Sequence, residues 1–248
     1  GVSEVAYMII TALIGKGDEV LVPTPCYSLW TNFTYLAGGK AKFYKCDESD
    51  CWQPDLESIK RGITPRTKAI VLINPNNPTG ALYSKEMLLE IIDIARKNKL
   101  VIISDEIYDR LVLDGEQHIP TGALAEDVTV VTMNGLSKSH CICGLRCGWM
   151  CISGEKKEKK ILRDALVNIA SVRLCSNALM QLVIPDALND IAYTENMVNP
   201  QGRLTRQRNA VMEELDKIDG MSYVKNTAAF YIFPKLDLKK YGFENDRE

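Results

Sequence analysis

Lys138 stands in the segment Asn134–Trp149, after the apolar run Val128–Met133 and among small and apolar residues. Such surroundings can depress a lysine pKa, which an amine acting as a nucleophile requires. Arg146 lies eight residues on, bracketed by Gly144 and Gly148, and a guanidinium forks the oxygens of an anion. Asp105 and Tyr108 form an Asp-x-x-Tyr group behind the run Leu100–Ser104. A carboxylate there can cap a helix or serve a bound group. Asn74-Pro-Asn-Asn-Pro-Thr-Gly80 follows the run Lys68–Asn74 and is built of turn-forming residues. Tyr27 follows the run Glu19–Pro23, and Gly1-Val-Ser-Glu opens a helix. Helix N-termini bind phosphate through free backbone N–H groups.

The runs that precede these residues are near-continuous β-branched or aliphatic segments, as in strands buried on both faces of a parallel sheet. Ala41–Lys45 adds an alternating strand. Between the runs lie amphipathic stretches. Ser84 caps a helix expected to run to about Lys97, with Glu86 and Glu90 early and Arg96, Lys97 and Lys99 late, which suits the helix dipole. Residues 54–60 form a shorter candidate. This strand-helix alternation predicts a doubly wound α/β domain, with ligands at the C-terminal ends of the strands. The charged run Glu155–Lys160 starts a longer helical stretch and is expected to be a solvated face. Helix continues through Ile218, then Met221–Val224 and Ala229–Phe233 are expected as strands.

In chain order these segments resemble the class I/II aminotransferases, pyridoxal-phosphate enzymes of fold type I. The resemblance covers nearly the whole chain. It rests on Asn-Pro-Thr-Gly at 77–80, Asp-x-x-Tyr at 105–108, and Ser137-Lys138 followed by Gly-x-Arg-x-Gly at 144–148. It implies a mostly parallel sheet covered by helices on both faces, plus part of a smaller α+β C-terminal subdomain. Residues 1–175 would be the cofactor-binding large domain with a truncated N-terminus. Residues 176–248 would be linking helices and a partial small domain.

The cofactor implied is pyridoxal 5′-phosphate. By the resemblance Lys138 forms the Schiff base with it, and Asp105 keeps its ring nitrogen protonated, so these two are the catalytic residues. Arg146 would fork the phosphate, with Ser137, Gly1 and Val2 in the phosphate cradle. Asn77 and Tyr108 would bond the ring oxygen, and Tyr27 would stack on the ring. Some relatives carry Ser where this chain has Gly135, and most carry small or aliphatic residues at the positions of Cys141 and Cys147.

The segments Cys26–Trp30, Asn134–Lys138 and Arg173–Asn177 look most like alanine-type (glutamate–pyruvate) aminotransferases. The activity implied moves an amino group between an amino acid and a 2-oxo acid by a ping-pong route. Two alternatives share the scaffold: a regulator domain that binds the cofactor without turnover, and β-lyase chemistry. The motifs fix the cofactor and not the fate of the carbanion. The family binds the substrate carboxylate with a C-terminal Arg whose motif Arg173, Arg203, Arg206 and Arg208 do not match, so that residue is expected beyond Glu248. A homodimer is implied.

The 248 residues are 46% hydrophobic and 25% charged, which excludes general disorder. Thirty basic against 32 acidic side chains give a net charge of −2, against an electrostatic nucleic-acid binder. No run approaches a membrane span. Eight Cys without a secretory signal point to a reducing, cytoplasmic setting with free, mostly buried thiols. Cys141, Cys143, Cys147 and Cys151 lack the paired-knuckle spacing of structural zinc sites, so no metal is expected. With no initiator Met and an incomplete last unit, the chain reads as a fragment.

Overall fold

A computed structural model describes residues 1–245. The last three residues of the 176–248 unit lie outside the described residues. Seven strands form one sheet: β1 (Glu19–Thr24), β2 (Lys40–Asp47), β3 (Gln53–Pro54), β4 (Thr67–Ile73), β5 (Val101–Asp105), β6 (Val130–Gly135) and β7 (Gly148–Ser153). Their order is β3-β2-β1-β4-β5-β6-β7. The central pairings are parallel, and β3 and β7 add antiparallel edges.

Successive side chains on the central strands point to opposite faces, and both faces are apolar. Leu21, Ile70, Leu72, Ile102 and Val130 pack on Ile59 of the helix Leu56–Gly62 and on Leu88, Ile91 and Ile92 of the helix Lys85–Asn98. Val20, Val22, Val71, Ile103 and Val131 pack on Val5 and Ile9 of the helix Val2–Leu13 and on Leu162 and Leu166 of the helix Lys156–Arg173. Each such fully buried aliphatic side chain contributes about 1.5–3 kcal/mol. The expected α/β sheet with helices on both faces is therefore present. Ser84 caps its helix as expected, its hydroxyl accepting from the Met87 N–H at 3.1 Å. The Glu155–Lys160 run is almost entirely exposed.

Beyond Arg173 come the helices Ala178–Asn189, Ile191–Val198 and Arg203–Leu215, then a hairpin of β8 (Met221–Tyr223) and β9 (Pro234–Leu236). Among the described residues no helix is long and apolar enough to cross a membrane.

Two expectations fail. Ala229–Phe233 is not a strand. Ala229 turns the chain at φ 56°, and Phe230 and Tyr231 pack on Tyr108 instead of along a sheet. The partner of β8 is the next segment, 234–236. The cysteines are all free, but only Cys46 and Cys147 are buried. Cys141 and Cys143 sit on the loop after β6, Cys151 on edge strand β7, and Cys51 and Cys175 in connections, where no second layer covers them.

Candidate active site

The parallel strands end in one row, and their connecting loops meet over it. Tyr27 follows β1, Asn77 follows β4, Asp105 ends β5 and leads to Tyr108, and Ser137 and Lys138 follow β6. Together with Val2 and Arg146 these residues line one cavity of about 250 Å3. Eight of the nine expected site residues therefore share a wall. The ninth, Gly1, caps the helix Val2–Leu13 beside Arg146: a Cβ there would lie 2.6 Å from an Arg146 guanidinium nitrogen.

The Asn-rich loop divides its labour. The Asn74 carboxamide oxygen accepts from the Tyr83 N–H at 2.9 Å, and the Asn76 oxygen accepts from the Thr79 hydroxyl at 3.0 Å. Both asparagines are buried within the loop, which leaves Asn77 to face the cavity.

Asp105 is buried, and that burial pushes its carboxyl up to about 6. The Ile107 N–H, the Trp30 indole and the Lys138 charge oppose the rise. Trp30 Nε1 itself is buried with no partner at hydrogen-bonding geometry. A carboxylate so placed gains most from a cationic partner inside the cavity. Next to it Glu106 points to the other side of the strand. It accepts from Ser104 Oγ at 2.8 Å and the Thr121 N–H at 2.9 Å, with His118 Nε2 at 3.6 Å. Burial pushes Glu106 up to about 7 and His118 down.

Lys138 reaches the cavity from the short turn Leu136–Ser139, with Nζ 6.0 Å from the Tyr108 ring centre and 5.8 Å from that of Phe230. The turn is pinned from behind by His140, which is hydrogen-bonded to Ser139 Oγ at 2.9 Å and the Ala187 carbonyl at 2.8 Å. Arg146 is exposed and left-handed, and its guanidinium donates to the Cys143 carbonyl at 2.6 Å. First-turn N–H groups of a helix have no intrahelical acceptor, and Val2 and Ser3 put that turn on the cavity wall. An amine, a buried carboxylate and an anion cradle thus share one cleft.

Ser3, Leu29, Ile73, Ile107, Cys143 and Tyr231 also line the cavity, and sequence reasoning missed them. Ser3 and Ile107 adjoin expected residues, and Leu29, Cys143 and Ile73 lie two to four positions from one, within reach of extending each motif. Tyr231 lies 123 positions from Tyr108 and carries no local signal. Arg173, Arg203, Arg206 and Arg208 stay outside the cavity lining: Arg173 pairs with Glu4, and Arg208 forks Asp114 at 2.7 and 2.8 Å. Among the described residues no three His, Cys, Asp or Glu side chains are placed to share a metal ion.

Residues 1–245 match the family model described as aminotransferase class I and II. The whole chain is 47% identical to glutamate-pyruvate aminotransferase AlaA of Escherichia coli K12, covering 61% of that protein. It is 44% identical to alanine aminotransferase of Mycobacterium bovis, covering 58% of it. An aminotransferase crystal structure from Escherichia coli superposes with a TM-score of 0.96 at 47% identity, over 100% of this chain and 61% of that one. The α/β architecture is accordingly fold type I, and the chain spans about three fifths of the length of these relatives.

Proposed function

The chain belongs to the class I and II aminotransferases, and from that membership we propose that the complete protein is a pyridoxal-phosphate-dependent transaminase. Its proposed substrates are alanine or glutamate and the matching 2-oxo acids. One observation carries the reading: Lys138, Asp105, Tyr108, Asn77 and Arg146, from the three connections that follow β4, β5 and β6, converge on one cavity. The donor set fits the cofactor. It offers an amine, a buried carboxylate without a cationic hydrogen-bond partner, and an arginine packed against a Cβ-less helix start.

When bound, pyridoxal phosphate supplies an aldehyde for Schiff-base formation and a ring that accepts electrons. Arg146, Ser137 and the N-terminal turn of the helix at Gly1 and Val2 hold its phosphate. Asp105 keeps a proton on the ring nitrogen by charge. Asn77 and Tyr108 would donate to its ring oxygen, and Tyr27 would stack on the ring. Lys138 Nζ would be the amine that reacts with the aldehyde and, when free, the general base that takes the substrate Cα proton and the general acid that gives it back.

The family and the three relatives favour transamination over the regulator and β-lyase alternatives. Free thiols at all eight cysteines support a reducing, cytoplasmic setting. Exposed Val172, Leu174, Leu179 and Leu182 support burial against a second copy in a homodimer. The test is a coupled assay for pyruvate formed from L-alanine and 2-oxoglutarate by the complete protein. Turnover that Lys138→Ala abolishes supports the reading; cofactor binding without turnover would favour the regulator alternative.

A further inference from the structure

We infer that Tyr231 is a positioning residue for Tyr108: its hydroxyl donates to the Tyr108 hydroxyl and thereby commits the Tyr108 hydrogen to the cofactor's ring oxygen. The inference rests on the cavity being a pyridoxal phosphate site. The two hydroxyls are 2.6 Å apart. A phenol has one hydrogen to give. In the pair alone either oxygen can donate, but once Tyr108 donates outward, only Tyr231 can fill the bond between them. Tyr108 is buried and gripped edge-on by Phe230, ring centres 5.3 Å apart, and by Tyr231 at 5.7 Å. In such low-dielectric surroundings hydrogen bonds in series polarise one another, so the outer donor is strengthened.

The backbone shows how Tyr231 is delivered from so far along the chain. The Ala229 N–H donates to the Leu111 carbonyl at 2.8 Å, and the Ala228 N–H donates to the Gly80 carbonyl at 3.0 Å. Gly80 is left-handed at φ 69°, and a Cβ there would meet Asn226 Cβ at 2.5 Å, the Ala228 carbonyl at 2.9 Å and the Tyr231 carbonyl at 3.0 Å. The last residue of the Asn-Pro-Thr-Gly loop is therefore the seat of the segment that carries Tyr231. Asn77 at the front of that loop and Tyr108 are the proposed ring-oxygen donors, so one packed unit sets both.

The experiment is a pH titration of the bound cofactor's absorbance in the complete protein, which reads protonation of the Schiff-base nitrogen. Donation to the ring oxygen favours the deprotonated form, because that oxygen's charge is then uncompensated. Weaker donation raises the midpoint. Tyr231→Phe keeps the ring packing and should raise it by roughly half a unit, the size of a lost neutral hydrogen bond. Tyr108→Phe should raise it further, and adding Tyr231→Phe to Tyr108→Phe should change nothing more. An unmoved midpoint in Tyr231→Phe, or an equal shift with and without the Tyr108 hydroxyl, would overturn the inference while leaving the cofactor in place. A wild-type protein with no titrating cofactor band would overturn the cofactor reading and this inference with it.

Discussion

Gly135 and Gly148 pair directly where β6 leaves for the Lys138 turn and β7 returns from Arg146, and neither has room for a Cβ. A Cβ on Gly135 would lie 2.6 Å from the Cys147 carbonyl oxygen, and one on Gly148 2.7 Å from the Val2 nitrogen. Backbone contact at these two points joins the amine, the guanidinium and the helix start. Gly148→Ala should therefore destabilise the protein by about 1–3 kcal/mol, the usual cost of overpacking, and weaken cofactor binding. A urea midpoint equal to wild type would show that the contact has slack.

Asp105 is expected to act through charge. Asp105→Asn keeps the size and one hydrogen-bonding oxygen but cannot hold a ring nitrogen protonated. Exchange of the alanine Cα hydrogen with deuterated water should slow by at least about 10²-fold, or ~2.7 kcal/mol. Exchange near the wild-type rate would remove Asp105 from the mechanism.

The raised carboxyls set a pH dependence for the cofactor-free protein. Asp105 at about 6 and Glu106 at about 7 both lie above ordinary carboxylate values, chiefly through burial. Each binds its proton more tightly folded than unfolded. The stability they contribute is fully present below the unfolded pKa near 4 and is lost as pH rises through the folded values. His118, shifted down, works the other way and loses its contribution as pH falls through its folded value. Melting temperature between about pH 4 and 7 should fall less steeply in Glu106→Gln, whose amide oxygen can still accept from Ser104 and Thr121. A slope equal to wild type would contradict the Glu106 assignment.

The fork between Arg208 and Asp114 ties the helix Arg203–Leu215 to the loop after β5. The Arg208 side chain is only 5% exposed, so removing its partner leaves a buried charge. Asp114→Ala should cost about 3 kcal/mol, with Lys225, also paired with Asp114 at 2.8 Å, losing its contact. Arg208→Lys should lose part of that through the missing second hydrogen bond. Chemical denaturation of the two variants checks the order.

The parallel core was legible because its strands are continuous apolar runs with chemistry-bearing residues at their ends. Edge strand β7 was not, since Gly-Trp-Met-Cys-Ile-Ser shows no clean alternation and follows an irregular loop. Ala229–Phe233 misled in the opposite direction. Its β-forming aromatics serve a turn that docks Phe230 and Tyr231 onto Tyr108. Motif residues could be placed from neighbours in sequence, whereas Tyr231 reaches the site through tertiary packing alone. Cysteine burial failed for a related reason: composition reports a thiol's chemistry but not which loops lack a covering layer.

Lys138 is the residue proposed to carry the cofactor. Borohydride reduction of the complete protein loaded with pyridoxal phosphate, followed by peptide mapping, tests it most directly. The pyridoxyl label should fall on Lys138, and Lys138→Ala should take up no label at the site and lose transamination. A label on another lysine, with Lys138 unmodified, would contradict the account.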